Sequence, residues 1–398
     1  MCVACCHKKG RGMNNKALFS VLSGGMIYSQ ELLGEKDILI AGDRIIHIDD
    51  HIDLPKNIIV NRINATGKTV VPGFIDLHVH LIGGGGEDGP ASRVPEISLS
   101  TLTEAGITTI VGVLGTDGIT RSPEVLLAKV KGLQLEGLST YMYSGSYHLP
   151  SLTITGSVKR DIALIEEVIG VKIAISDHRG SQPTVDELAR LASEARLGGM
   201  LAGKPGIVHV HVGGGSHGLD PILNVVEQTE IPISQFLPTH IGRDTTLLRQ
   251  GIDFVNKGGC IDITAPSKME QAISIIKELK ESRIDLTKVT LSSDGNGSKP
   301  RFNGRGELTS MGTGNVATLG TTLKVLVEEK ILSLPDALAL ITSNPADRLG
   351  ISGRKGSIRE GADADLLILD EELRIEQVFA KGRLMVAAGK AVVKGNFE

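Results

Sequence analysis

Between residues 70 and 350 the chain alternates short apolar runs with longer amphipathic stretches. The apolar runs are rich in β-branched residues and end in glycine or polar residues, which predicts buried strands. The amphipathic stretches, such as SPEVLLAKVKGLQLEG at 122–137, have the spacing and length of helices. Eight strand–helix pairs predict an α/β fold, a (β/α)8 TIM-like barrel. The predicted strands lie in the runs VVPGFIDLHVH, ITTIVGVLG, LSTYMYSGSYHLP, GVKIAIS, GIVHVHVGGG, ISQFLPTHIG, CIDITA and KVTLSSDGNG.

The two ends of the chain show a different pattern, in which strand and turn signals alternate without a convincing helix. Each end alone is too short to form a stable hydrophobic core. We therefore expect both ends to form one small β-sandwich domain that packs against the barrel. The expected boundaries are a disordered leader at 1–17, the small domain at 18–70 and 353–398, and the barrel at 71–352.

Composition and charge narrow the classes of function. The chain has 398 residues, of which 41% are hydrophobic, and this suffices for one large and one small domain. Its 42 Lys and Arg against 46 Asp and Glu give a net charge of −4, without the basic excess of a nucleic-acid-binding protein. No apolar run reaches the length of a membrane span. We therefore expect neither a nucleic acid nor a membrane as a partner.

The cysteines indicate a reducing compartment. Cys2, Cys5 and Cys6 crowd the polar N-terminus and Cys260 stands alone, which is not a disulfide framework. We therefore expect a cytoplasmic protein. The leader CVACCH has soft metal ligands, but no second half-site of zinc spacing follows it, and Met13 offers an alternative start. We interpret the leader as an extension without a metal role.

The run FIDLHVHL ends in two histidines, and GGGGE follows it at once. His78 and His80 share one face of the predicted strand because alternate strand residues point the same way. They lie at the C-terminal strand tip, where barrel enzymes carry their active sites. Packed core histidines are the alternative, but two imidazoles at a strand end favour a metal site.

Three other strand ends carry further ligand types. His211 ends the fifth run, His240 the sixth and Asp294 the eighth. Imidazole and carboxylate ligands that converge at one end of a barrel suit Zn²⁺ better than a soft-metal site. His209 shares the face of His211 but lies about one layer deeper, so we choose His211 as the ligand and interpret His209 as a packed histidine.

The fourth run, GVKIAIS, places Lys172 in a strand that should be buried on both faces. A buried, unpaired ammonium is costly. One interpretation is an ion pair across the core. The other is a neutral amine that has reacted with CO₂, so that its carbamate bridges two metal ions. The residues alone leave both interpretations open.

The chain resembles the isoaspartyl (β-aspartyl) dipeptidases of the amidohydrolase superfamily. The resemblance covers nearly all of the chain from about residue 18 onward, and it does not include the leader. The His-x-His pair marks only the superfamily, whereas GGGGE, SDHR and SDGNGS together are specific to the dipeptidase. The resemblance rests on HVHLIGGGGE, GVLGTD, GSYHLPSLTITGSV, GVKIAISDHR, PTHIGR, IDIT, LSSDGNGS and LRIEQVFAKGRLMV.

The resemblance implies a hydrolase with two Zn²⁺ per chain. His78 and His80 would hold one ion, with Asp294 beside it, and His211 and His240 the other. N6-carboxylated Lys172 would bridge the two ions, which favours the carbamate interpretation.

The expected reaction is hydrolysis of the β-amide bond of isoaspartyl dipeptides. A metal-bridging hydroxide would attack the amide carbonyl, since zinc lowers the pKa of bound water to about 7. Asp294 would act as general base and then as general acid toward the leaving amine. Tyr147, in GSYHLP, is either a packed aromatic or a second donor to the oxyanion, and the family pattern favours the donor.

Charged residues at the strand ends would select the substrate. Arg179 and Arg243 would bind its carboxylates, because arginine grips carboxylates bidentately, and Glu87 would pair with its α-ammonium. Without the resemblance each of them would be interpreted as an exposed loop residue. The resemblance adds contacts from Gly85, Thr116 and Ser298, beside Tyr147.

Two rival functions stay open from the sequence. One is a cyclic amide hydrolase of the dihydroorotase or hydantoinase type on the same metal scaffold. The other is a catalytically inactive scaffold protein, which the presence of all six ligand residues disfavours. We also expect a homo-oligomer.

Overall fold

The computed structural model describes residues 18–303, 305 and 307–398. The predicted leader, residues 1–17, lies outside the described residues, and its lack of a metal role stays a prediction. Within the described ranges, no helix combines the length and the apolar character that a bilayer crossing requires.

The first strands belong to the small N-terminal part of the chain and are followed by the parallel strands. The N-terminal strands are β1 Phe19–Tyr28, β2 Leu32–Ala41, β3 Arg44–Asp49, β4 Val60–Asn64 and β5 Thr69–Pro72. The parallel strands are β6 Phe74–Val79, β7 Ile107–Gly112, β8 Ser139–Gly145, β9 Val168–Ile175, β10 Ile207–Val212, β11 Phe236–Thr239, β12 Ile261–Thr264 and β13 Val289–Ser292.

Helices alternate with the parallel strands, as the sequence predicts. They are α1 Leu99–Glu104, α2 Pro123–Glu136, α3 Val158–Leu164, α4 Val185–Ala202, α5 Asp220–Gln228, α6 Thr245–Asn256 and α7 Met269–Glu281. A short hairpin follows β13, then three more helices and four C-terminal strands. These are β14 Arg301–Phe302, β15 Leu308–Ser310, α8 Thr318–Glu328, α9 Leu334–Ala339, α10 Ser343–Arg348, β16 Leu366–Leu369, β17 Ile375–Ala380, β18 Arg383–Ala387 and β19 Lys390–Ala391.

The eight predicted strands run parallel and in chain order. Strands β6 to β11 form one six-stranded sheet, and β12 pairs with β13. Val79, at the end of β6, is bridged in parallel to Gly295, just beyond β13, and the His80 amide donates to the Gly295 carbonyl at 2.9 Å. The Ile241 amide donates to the Asp262 carbonyl on β12 at 3.4 Å. The parallel strands therefore curl, so that the eighth lies beside the first.

The third helix is shorter than its sequence pattern predicts. The amphipathic run RDIALIEEVI extends to Ile169, but α3 ends at Leu164 and β9 already begins at Val168. Val168 pairs with Met142 of β8, and the Met142 amide donates to the Glu167 carbonyl. Pairing of a β-branched segment with a neighbouring strand here overrides its helical periodicity.

Both chain ends join in one mixed sheet of nine strands. Its order is β19-β18-β17-β16-β5-β1-β2-β3, with β4 also paired to β1. The predicted β-sandwich is thus connected by hydrogen bonds into one branched sheet. Along β16, Leu366 and Ile368 belong to the core of this sheet, whereas Leu367 and Leu369 belong to the core shared with the parallel strands. Alternate side chains of β16 therefore attach the small sheet to the rest of the molecule.

Parallel strands covered on both faces require apolar residues almost throughout. All residues of β6, β7, β9 and β10 are buried, and Lys172, His209 and His211 lie among them. Polar groups in such positions need partners inside the protein, and these partners define the site.

Candidate metal centre

The two histidines of β6 and its following loop meet a carboxylate from the end of β13. Asp294 Oδ1 lies 3.4 Å from His78 Nε2 and 3.3 Å from His80 Nε2. The three side chains are buried, and their possible ligand atoms all lie within 4.8 Å of one another. Burial alone would raise the pKa of Asp294, but the His80 hydrogen bond and nearby cationic side chains lower it below its usual value. This cluster has the donor types and spacing for one metal ion.

Lys172 lies next to this cluster. Its side chain is fully buried, and its Nζ is 3.0 Å from His78 Nε2. Among the described residues, no carboxylate lies within ion-pair distance of this amine. Burial lowers the pKa of Lys172 to about 7, although Asp294 and Asp262 pull it upward. A large neutral fraction of the amine at neutral pH is what carbamate formation needs.

The second predicted pair of ligands adjoins the first. The ring centroids of His211 and His240 are 4.5 Å apart, and those of His78 and His240 are 5.3 Å apart. His240 Nδ1 is hydrogen-bonded to Thr264 Oγ1 at 2.6 Å, which leaves Nε2 as its available nitrogen. His240 has a left-handed backbone conformation, with φ of 67°, at the turn after β11. The structure thus brings all four predicted histidine ligands together.

His211 has protein partners on both ring nitrogens. Its Nδ1 lies 2.7 Å from the Tyr147 hydroxyl, and its Nε2 lies 2.9 Å from Asp177 Oδ2. Burial lowers the pKa of His211 to about 3, so the ring is neutral. The predicted ligand is therefore in place, but a metal on Nδ1 would have to replace the phenol as its partner.

Asp177 is a functional candidate that the sequence reasoning missed. Burial raises its pKa, but hydrogen bonds from His211 and Arg179 outweigh burial and hold the pKa far below its usual range. Arg179 donates to Asp177 Oδ1 from Nε at 3.0 Å and to Oδ2 from Nη2 at 2.7 Å. The motif SDHR contained the signal, because this aspartate directly follows a strand end, yet only its arginine was given a role.

Glu87 gathers three of the predicted substrate-binding residues. Its Oε1 accepts hydrogen bonds from Ser298 Oγ at 2.7 Å, Thr116 Oγ1 at 3.1 Å and Arg179 Nη1 at 3.2 Å. The Glu87 side chain is only 6% exposed. Its other oxygen, Oε2, is buried and has no hydrogen-bond partner among the residues that the structure describes. One carboxylate oxygen is thus positioned by three side chains, whereas the other has no hydrogen-bond partner among the described residues.

Most of these groups line one open cavity of about 890 Å³, but Glu87 is not on its wall. Gly85 lines it with φ of +88°, and a Cβ there would come within 2.3 Å of the Ser92 carbonyl oxygen, so the close backbone turn requires glycine. His78 and Lys172 lie deeper. The predicted site residues on the cavity wall are His80, Gly85, Thr116, Tyr147, Arg179, His211, His240, Arg243, Asp294 and Ser298.

His209 lies below the cavity, as its depth in the strand predicts. It does not only pack in the core but also makes a polar contact. Its Nε2 is 3.1 Å from His78 Nδ1, and its ring stacks on Tyr143 with centroids 4.9 Å apart. Burial lowers the pKa of both His78 and His209 well below the usual value, so both rings are neutral. A histidine interpreted as core packing therefore contacts a candidate metal ligand.

Comparison with known proteins agrees with this arrangement. Residues 69–385 match the amidohydrolase family. A crystal structure of β-aspartyl dipeptidase from Fervidobacterium islandicum AW-1, in complex with a β-Asp-Leu dipeptide, is 42% identical, with a TM-score of 0.88 over 94% of this chain and 98% of that chain. The dihydroorotase of Lactobacillus gasseri is 24% identical over 409 residues, covering 90% of both chains. The dihydroorotase of Aquifex aeolicus is 26% identical over 417 residues, covering 92% of this chain and 93% of the other. The chain therefore belongs to the amidohydrolase family, and its resemblance to the β-aspartyl dipeptidases is confirmed.

Proposed function

We propose that the protein is a binuclear-zinc dipeptidase that hydrolyses the β-amide bond of isoaspartyl dipeptides. The dipeptidase relative at 42% identity supports the substrate class. The observation that carries the proposal within this chain is the buried Glu87 carboxylate, with one oxygen held by three side chains and the other without a partner among the described residues.

The residues present fit the proposed metals. His78, His80 and Asp294 offer nitrogen and carboxylate donors within one small cluster, and His211 and His240 adjoin it. Carboxylated Lys172 would bridge the two groups, and its buried amine has the lowered pKa that this modification favours. Two zinc ions held there would supply hydroxide at neutral pH and Lewis acidity toward an amide carbonyl.

Two side chains of the site would handle proton and charge. Asp294 would accept a proton from the attacking water and return it to the leaving amine. Its pKa, lowered below the usual value, keeps it ionised at neutral pH, as a base must be. The Tyr147 hydroxyl is hydrogen-bonded to His211 Nδ1. If His211 were to bind a metal ion through Nδ1, that hydroxyl would be free to donate to the oxyanion of the substrate.

The remaining residues would bind the ends of the dipeptide. Glu87 Oε2 would accept from the α-ammonium, which only a substrate with a free amino group beside the β-amide provides. Arg179, positioned by Asp177, and Arg243 on the cavity wall would bind the carboxylates. Gly85 would let the substrate approach the backbone.

The test compares β-Asp-Leu with succinyl-leucine, which keeps the amide and both carboxylates but lacks the α-ammonium. With that group missing, a buried carboxylate oxygen stays unsatisfied, so kcat/KM should fall about tenfold to a hundredfold. Glu87→Gln should narrow the gap between the two substrates, whereas Arg243→Met should weaken both alike. Equal cleavage of both substrates by the wild-type protein would contradict the isoaspartyl assignment.

A cyclic amide hydrolase is the alternative, since the dihydroorotase relatives span most of the chain. A cyclic amide has no free α-ammonium. The Oε2 atom of Glu87, which has no hydrogen-bond partner among the described residues, therefore favours the dipeptide. An inactive scaffold protein is disfavoured by the convergence of the ligand residues in the structure.

The organisation of the whole protein completes the proposal. We propose that the curled parallel strands close a complete (β/α)8 barrel at 71–352, that 18–70 and 353–398 form the small domain as two packed layers, and that the protein is a cytoplasmic homo-oligomer. The pairing of β5 with β16 supports the shared small domain, and the Val79–Gly295 bridge supports closure.

A further inference from the structure

His209 is a buried titratable side chain to which neither the metal set nor the proposed reaction gives a role. We propose that His209 is a positioning residue that fixes the tautomer of His78, so that Nε2 of His78 is free to bind a metal ion. This inference rests on the proposed metal centre, but it does not depend on which amide is hydrolysed.

The two nitrogens of His78 face different partners. His78 Nε2 lies 3.0 Å from Lys172 Nζ and 3.4 Å from Asp294 Oδ1, within the ligand cluster. His78 Nδ1 lies 3.1 Å from His209 Nε2, on the side away from that cluster. The hydrogen bond to His209 can therefore set which nitrogen of His78 carries the proton.

The direction of this hydrogen bond decides whether His78 can be a ligand. A neutral imidazole carries one N–H, and a metal needs the lone pair of Nε2, so the proton must be on Nδ1 and be donated to His209. His209 can accept it only if its own proton is on Nδ1. The opposite direction would place the His78 proton on Nε2 and block metal binding.

The environment of His209 holds the ring in the required orientation. The ring is fully buried, stacks on Tyr143 at an interplanar angle of 14°, and meets His78 edge-on with centroids 4.9 Å apart. His209 Nδ1 has no partner among the described residues, so the N–H that it carries in the metal-competent tautomer is buried without an acceptor, which costs free energy. Metal binding to His78 would offset that cost.

Zinc affinity tests the inference without reference to activity. His209→Phe keeps a ring that can stack on Tyr143 but removes the acceptor, and its zinc affinity should fall about tenfold to a hundredfold, measured by competition with a chromophoric chelator. His209→Gln, which offers an amide oxygen as acceptor, should recover part of the loss. Tyr143→Phe is the matched control, because its hydroxyl has no partner among the described residues, and it should keep the wild-type affinity.

The outcomes separate this inference from the proposed function. Wild-type zinc affinity in His209→Phe would overturn the inference, and so would a loss that His209→Gln shares in full or that Tyr143→Phe reproduces. If His209→Phe does not fold, the shorter His209→Asn is compared with His209→Gln, and equal affinities would overturn it. A wild-type protein that binds zinc but does not cleave β-Asp-Leu would refute only the proposed function.

Discussion

Single side chains set the chemistry of the cavity because three of the candidate ligands each contact a specific neighbour. His78 contacts His209, His240 contacts Thr264, and His211 contacts Asp177 through Nε2. Such partners orient ligands and fix their tautomers, and their loss typically lowers metal affinity or activity about tenfold to a hundredfold. The site is therefore defined by pairs of residues rather than by ligands alone.

Lys172 gives a pH prediction, because only the neutral amine reacts with CO₂. Burial lowers its pKa from the ordinary 10.5 to about 7, so the neutral fraction rises in the window around neutrality. At fixed dissolved CO₂, recovery of activity by metal-free protein after zinc addition should rise about tenfold from about pH 6 to about pH 8 and then level off. Recovery that keeps climbing above that range, as an unperturbed lysine would require, would contradict the assignment.

At the level of strands, helices and loops, the C-terminal ends of the parallel strands bring together ligands that are far apart in the sequence. His78 and Asp294 are 216 residues apart in numbering, and they meet because the segment after β13 is bridged to β6. Asp294 itself lies in a left-handed turn, with φ of 52°. The loop after β13 must therefore keep its conformation if the ligand is to stay in place.

Gly297 in this loop offers a sharp test. A Cβ at Gly297 would lie 2.5 Å from Asp294 Oδ1 and 2.8 Å from His80 Cδ2, so Gly297→Ala should displace two ligands. A displacement of this kind lowers kcat/KM about a hundredfold, and bound zinc should fall with it. Gly312→Ala is the control, since its Cβ would meet only Lys299 atoms at 3.7 Å. Similar kinetics and zinc content in both variants would show that the loop tolerates crowding.

The strand–helix order could be predicted from periodicity, since the runs with His78, Lys172 and His211 are almost entirely apolar and end in glycine or polar residues. The convergence of ligands followed from that order, because parallel strands end at one edge. The end of α3 could not be predicted, since it depends on the pairing of Val168 with Met142. The role of Asp177 and the contact of His209 with His78 also depend on side-chain positions that a linear pattern does not contain.

In the whole molecule, the small sheet and the parallel strands meet at a buried ionic cluster. Lys355 Nζ lies 2.9 Å from Asp363 Oδ2 and 2.5 Å from Asp365 Oδ2, and its side chain is 3% exposed. Arg44 of β3 also pairs with Asp363 at 2.7 Å, and the Gly73 amide, just before β6, donates to the Asp365 carbonyl. The cluster therefore connects both chain ends to β6, the first of the parallel strands.

Lys355→Met tests the contribution of this cluster to stability. The substitution removes the positive charge that faces two buried carboxylates, so the free energy of unfolding should fall. We expect a fall of about 3 kcal/mol, the lower end of the usual range, because Asp363 keeps Arg44 as a partner. Lys324→Met is the matched control, because it removes only the exposed pair with Glu328 at 3.5 Å, for which less than about 1 kcal/mol is expected. Denaturant unfolding measures both. Equal effects of the two variants would show that the cluster does not stabilise the contact between the small sheet and the parallel strands.

The isoaspartyl dipeptidase assignment can be tested by measuring kcat/KM for β-Asp-Leu, α-Asp-Leu and dihydroorotate with the same zinc-loaded protein. Asp294→Asn serves as the control, because losing the proton shuttle should lower kcat by about two orders of magnitude. An isoaspartyl dipeptidase should cleave β-Asp-Leu rapidly, and α-Asp-Leu and dihydroorotate more slowly by about a hundredfold or more, since neither presents a β-amide beside a free α-ammonium. Preferred hydrolysis of dihydroorotate, or equal cleavage of the two aspartyl dipeptides, would contradict the assignment.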